Sequence, residues 1–141
     1  MDAAKIVSKI SKEHGIIKNV YFLACGGSLV DLYPGYYFVR AESAVMDTQW
    51  IPAREFALTP PKKLGKDSLL IICSHSGKTK ECLEAAKVGM DAGAAVVTMT
   101  HAPGSPCDCE EWISVVYDWA PGVKEAQKPQ GIVLGILNEL M

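Results

Sequence analysis

Two short runs of this sequence hold residues whose types and spacing could do chemistry: Cys25-Gly26-Gly27-Ser28 and Ser74-His75-Ser76-Gly77-Lys78-Thr79. In the first, Gly26 and Gly27 permit a tight backbone turn that exposes amide N–H groups, and Ser28 adds a hydroxyl. In the second, Ser74, Ser76 and Thr79 supply hydroxyls, Gly77 permits the turn, and His75 and Lys78 supply nitrogens. Neutral donors and backbone amides gathered at the start of a helix bind an anion such as a phosphate. Serine, threonine and glycine after a strand also form ordinary helix N-caps, so either run alone carries both readings. Where the two runs lie in the fold separates them.

Each run follows a near-continuous apolar segment, Val20-Tyr21-Phe22-Leu23-Ala24 and Ser68-Leu69-Leu70-Ile71-Ile72-Cys73, and a third such segment is Ala94-Ala95-Val96-Val97-Thr98-Met99. Segments of this kind are strands buried on both faces of a parallel sheet. Ala44 to Trp50 and Trp112 to Tyr117 are shorter strand candidates. Helical composition fills the intervals: Ala3 to Glu13, Ser28 to Glu42, Ala53 to Leu58, Lys78 to Ala92 and Gln130 to Met141. Thr59 to Asp67, with Pro60, Pro61 and Gly65, reads as a loop.

Strand and helix therefore alternate, because each parallel connection needs a crossover that a helix supplies. The pattern predicts one α/β domain over residues 1–141. It is a three-layer αβα sandwich around a five-stranded parallel sheet in the flavodoxin-like order 2-1-3-4-5. In that order strands 1 and 3 are neighbours whose crossover helices leave on opposite faces, opening a crevice at their carboxyl ends. Both runs open onto that crevice, which favours a ligand site over two unrelated caps.

The composition bounds the ligand. With 141 residues, 49% of them hydrophobic, and a net charge of -2, the chain suits one compact domain and lacks the basic footprint of a nucleic-acid or anionic-membrane binder. No apolar stretch approaches the roughly 20 residues that span a bilayer. Five cysteines, an odd number, and no amino-terminal signal pattern lead to the expectation of a reduced, cytoplasmic protein. In the final helix, Ile132, Val133, Leu134, Ile136, Leu137, Leu140 and Met141 cover more than one face. That predicts burial on several sides and a contact with a second module or a second copy of the chain.

Three other motif readings fail on spacing. Gly77-Lys78-Thr79 resembles the end of a nucleotide-binding P-loop, but that motif needs a glycine where this chain has Ile72. Cys25 to Val30 lacks the glycine pattern of dinucleotide binding. His101, Cys107 and Cys109 do not match common zinc spacings. Glu81 falls in the first turn of its helix, where a negative side chain complements the dipole and equally lies near the crevice. Glu125 and Lys128, before the last helix, are candidates to reach a ligand.

The run Ser74-His75-Ser76-Gly77-Lys78-Thr79-Lys80-Glu81 carries the S-x-S-G-x-T-x-E pattern in full. With the glycine-serine loop after strand 1, it resembles the SIS (sugar isomerase) family. Phe22 to Ser28, Cys73 to Gly77 and Tyr117-Asp118-Trp119 resemble in particular the first of two tandem modules in fructosamine-6-phosphate deglycases. The resemblance implies that Gly26, Gly27, Ser28, Ser74, His75, Ser76, Gly77 and Thr79 hold a sugar phosphate such as fructosamine 6-phosphate. It implies a deglycase or aldose-ketose isomerase chemistry with no cofactor. It also implies a catalytic glutamate and histidine supplied by a second module or a neighbouring subunit, so that these residues form a binding half. The alternative is a phosphosugar-sensing or dimerisation module without catalysis.

Overall fold

A computed structural model describes residues 2–118 and 127–141. The elements run in the order α1 (Ala3–His14), β1 (Asn19–Ala24), α2 (Gly27–Asp31), α3 (Tyr33–Glu42), β2 (Asp47–Pro52), α4 (Ala53–Leu58), β3 (Ser68–Cys73), α5 (Lys80–Asp91), β4 (Ala95–Thr100), β5 (Ile113–Val116) and α6 (Gln127–Leu140). The strands form one sheet in the order β2-β1-β3-β4-β5, and every neighbouring pair is parallel. This is the predicted architecture.

Strands β1, β3 and β4 are buried at every position, in keeping with their near-continuous apolar sequences. Because side chains alternate across a sheet, each strand feeds two cores. Val20, Phe22, Leu69, Ile71, Val97 and Met99 face one layer, where α1, α3 and α6 cover them. Tyr21, Leu23, Leu70, Ile72 and Val96 face the other, under α4 and α5. Each large aliphatic side chain so buried contributes about 1.5–3 kcal/mol of transfer free energy. The helices leaving β1 and β3 therefore pack on opposite faces, which produces the crevice between those strands.

Three local features differ from the sequence expectation. The stretch from Ser28 to Glu42 is two helices, because the chain breaks at Leu32 and Pro34 opens the second. The β4–β5 connection contains no helix. Pro103, Gly104 and Pro106 deny one, and hydrogen bonds organise the loop instead. The Cys107 carbonyl accepts from the Thr98 hydroxyl at 2.8 Å, the Ser114 hydroxyl at 3.0 Å and the Trp112 indole at 3.1 Å. Finally, α6 finds much of its cover inside the chain: Val133, Ile136 and Leu137 are buried against the α1–α3 layer, while Leu134 and Met141 stay exposed. Among the described residues no helix is long and apolar enough to cross a membrane.

Candidate functional site

The site begins at the carboxyl ends of β1 and β3, which lie in register with Ala24 beside Cys73. After β3 the chain folds back on itself through Ser74–Thr79 before α5 begins at Lys80. Ser74 is 2% exposed, and its side chain organises the turn. Its Oγ accepts from the Gly77 N–H at 3.1 Å and lies 2.8 Å from the Thr79 hydroxyl, while its carbonyl accepts a second bond from the same Gly77 N–H at 3.0 Å. Ser76 is exposed, with its Oγ accepting from the Lys78 N–H at 3.2 Å. Lys78 is exposed as well, and Thr79 is half-buried at the N-cap of α5.

The turn is possible because Gly77 has φ +72°, in the left-handed region. Its hydrogen side faces the β4–β5 loop, where a Cβ would overlap Ser105 Oγ and lie 2.9 Å from Thr100 Oγ1. The Gly77 carbonyl also accepts from the Cys107 N–H at 3.0 Å. The β4–β5 loop thus backs the Ser74–Thr79 turn along its buried side.

On the β1 side, Gly26 adopts φ 55° and Gly27 starts α2; both are exposed, and Ser28 is half-buried. Burial pushes the Cys73 thiol up to about 12, helped by the Asp31 charge and opposed by hydrogen bonding with the Ser28 and Tyr117 hydroxyls. Those contacts bring the first loop, the end of β3 and the end of β5 to one place. The dipole of α2 is short, since this helix has only five residues. The longer dipole is that of the twelve-residue α5, which follows the Ser74–Thr79 turn and would favour an anion there.

His75 is half-buried and its ring is held on two sides. Nδ1 lies 2.9 Å from the Tyr117 hydroxyl, and the His101 ring stands 4.0 Å away, centroid to centroid, at a 53° tilt. The His75 carbonyl accepts from Thr100 Oγ1 at 3.0 Å and from the His101 N–H at 3.2 Å. Sequence reasoning singled out His75 but weighed His101 only as a metal ligand and Tyr117 only as part of a resemblance. The strand register carries the missing signal. Cys73 pairs with Met99, and two further residues along each strand place His75 beside His101.

The remaining candidates lie apart from the turn or beyond view. Glu81 is half-buried in the first turn of α5, where its charge, with burial the larger cause, raises the Cys25 thiol. Lys128 is exposed in the first turn of α6. Glu125 and Trp119 lie outside the described residues. A cavity of about 460 Å³, lined in part by Lys9, Glu13, His14 and Glu111, sits at the opposite, amino-terminal end of the sheet. In open parallel sheets ligands bind at the carboxyl ends, so the crevice, not this cavity, is the candidate site.

A five-stranded parallel sheet with a serine-rich turn at its switch point defines the class: the chain is an α/β domain of the SIS fold. Its sequence is 36% identical over 121 residues to fructosamine deglycase FrlB of Bacillus subtilis (strain 168), an alignment covering 86% of this chain and 37% of that protein. It is 32% identical over 113 residues to glutamine--fructose-6-phosphate aminotransferase [isomerizing] of Clostridium tetani, covering 79% of this chain and 18% of that one. A phosphosugar-isomerase candidate from Salmonella typhimurium LT2 superposes with a TM-score of 0.90 at 34% identity, over 99% of this chain and 42% of its own. Another, from Bacillus subtilis, gives 0.84 at 32% identity, over 98% and 44%. No family model matches the sequence. The chain spans less than half the length of each of these relatives.

Proposed function

We propose that the chain binds a phosphosugar in the crevice between β1 and β3, as the binding half of a deglycase or aldose-ketose isomerase acting on a fructosamine 6-phosphate or similar hexose phosphate. The observation that carries this reading is the Ser74–Thr79 turn. It is already folded at the switch point, with Ser74 fixing its shape and the Ser76 and Thr79 hydroxyls and α5 amides at its rim. Gly26, Gly27 and Ser28 close the other side. These are neutral donors around a helix N-terminus, the environment that suits a phosphate dianion.

In the reaction we infer, a base removes the proton from the amine-bearing carbon next to the carbonyl, and the resulting enolamine is reprotonated on the neighbouring carbon to give an imine. Water adds to that imine so that the carbon–nitrogen bond breaks into the sugar aldehyde and the free amine. This chain's share is to hold the phosphate and orient the sugar so that the reacting carbon is fixed. A carboxylate and a histidine from a second SIS module, or from a second copy of the chain, would supply the proton transfers. Similarity to a deglycase over 86% of the chain supports the assignment of substrate class.

Calorimetric titration with glucose 6-phosphate and a fructosamine 6-phosphate tests the reading. Binding is expected in the wild type, weakened by Ser76→Ala and abolished by Ser74→Ala with Ser76→Ala. Wild-type protein that binds neither ligand would refute it.

A further inference from the structure

A phosphate cradle does not by itself distinguish a sugar phosphate from inorganic phosphate. Discrimination needs groups that meet the polyol: atoms that both donate and accept hydrogen bonds, and flat surfaces against the ring carbons. Among the described residues one such assembly adjoins the Ser74–Thr79 turn, at the ends of β3, β4 and β5.

Three side chains from these three strands meet there. The β3–β4 register brings His75 and His101 alongside, and their rings stand 4.0 Å apart. Tyr117, one residue past β5 and only 5% exposed, reaches His75 Nδ1 at 2.9 Å. Its own N–H donates to the Thr100 carbonyl at 3.0 Å, and the Thr100 hydroxyl donates to the His75 carbonyl at 3.0 Å. The backbone under each ring is thus pinned to a neighbouring strand, and the bond between the Tyr117 hydroxyl and Nδ1 holds the His75 ring itself.

We propose that His75, His101 and Tyr117 form the sugar-recognising wall of the site, in which Tyr117 is a positioning residue that fixes the His75 ring and His101 gives a second ring surface to the sugar. The proposal rests on the phosphosugar reading above and assigns the part of the ligand that the serines do not hold. A neutral imidazole has one nitrogen that donates and one that accepts. The Tyr117 hydroxyl, which itself both donates and accepts, suits either tautomer at Nδ1; what it fixes is the orientation in which the His75 ring meets the sugar. The wall adjoins Ser74, the first residue of the phosphate turn, so one ligand of hexose-phosphate size reaches both.

The test compares glucose 6-phosphate with inorganic phosphate in the full 141-residue chain. Tyr117→Phe keeps the buried ring and removes only the hydroxyl; His101→Ala, at a half-buried position, is the second variant should the first fold poorly. Each is expected to weaken glucose 6-phosphate binding about tenfold while leaving inorganic phosphate within about twofold, the effect of one ligand hydrogen bond lost or misaligned. Nitrogen-15 NMR of labelled histidine gives the independent readout: the His75 Nδ1 signal is expected to shift in Tyr117→Phe, which removes its hydroxyl partner, and to shift in the wild type on addition of glucose 6-phosphate. Equal losses for both ligands would mean that the rings merely brace the phosphate turn, and no loss would mean that they do not meet the sugar; either overturns the proposal. If the wild type binds and depends on Ser74 and Ser76 while both ring variants bind normally, this inference alone fails. If the wild type binds neither ligand, the phosphosugar reading fails with it.

Discussion

Replacing Gly77 with alanine should damage the protein in a way that separates backbone conformation from packing. At φ +72° an alanine pays about 1–2 kcal/mol for the left-handed conformation. The added Cβ would also overlap Ser105 Oγ and stand 2.5 Å from Ser105 Cβ and 2.9 Å from Thr100 Oγ1. Neither neighbour yields without loss, since Ser105 Oγ donates to the Ala102 carbonyl at 2.7 Å and Thr100 Oγ1 donates to the His75 carbonyl at 3.0 Å. Overpacking of this kind costs a further 1–3 kcal/mol or so, about 2–5 kcal/mol in all. Gly104→Ala is the control: φ is +75° there too, but nothing lies within 4 Å of the new Cβ, so only the conformational cost of about 1–2 kcal/mol applies. For a chain of this size the two variants should lose roughly 6–20 °C and roughly 3–8 °C in Tm, measured by calorimetry alongside urea unfolding. Adding Ser105→Gly to Gly77→Ala should recover part of the loss, because the two residues share one contact. Equal destabilisation by Gly77→Ala and Gly104→Ala would refute the packing argument, and with it the view that the β4–β5 loop braces the Ser74–Thr79 turn.

Two further outcomes follow from the same contacts. Trp112→Phe removes the indole donor to Thr98 Oγ1 and the Cys107 carbonyl, and should cost about 1–2 kcal/mol in urea unfolding; no change would show that the bond contributes nothing. Burial raises the Cys73 thiol from 9.0 to about 12, Cys107 to about 11, and Cys82 further still. Above pH 9 the unfolded chain therefore sheds protons that the native state keeps. Stability is full below about pH 9 and declines as pH rises toward 12, by up to about 1.4 kcal/mol per pH unit for each thiol. The stability difference between wild type and Cys73→Ala should shrink over that window, and a difference independent of pH would contradict it.

The sheet was legible because β1, β3 and β4 are wrapped on both faces, and full burial leaves a near-continuous apolar sequence. Edge strand β2 was harder to bound: Asp47 and Gln49 are exposed on it, and its start falls three residues after Ala44. The β4–β5 loop escaped the helix-after-strand rule because its order comes from side-chain bonds of Thr98, Trp112 and Ser114 to two carbonyls, a pattern with no periodicity to detect. The turn between β3 and α5 was legible from its residue types, but the division of labour within it was not. Ser74 and Ser76 look equivalent in the sequence, yet one is turned inward to shape the loop and the other outward, a difference that depends on Gly77. His101 went unassigned because its neighbour is 26 positions away, and only a committed register makes them adjacent.

Cys107 donates its N–H to the carbonyl of Gly77, and Ser105 fills the space where any other residue at that glycine would project. The hexapeptide from Ser74 to Thr79 is therefore not a transferable cassette. Grafted alone onto the end of another parallel strand, it would lose the wall that holds its middle residue in place. A designer wishing to install this turn elsewhere would have to move two adjoining strand ends and the segment 101–108 with it, treating them as a single mould.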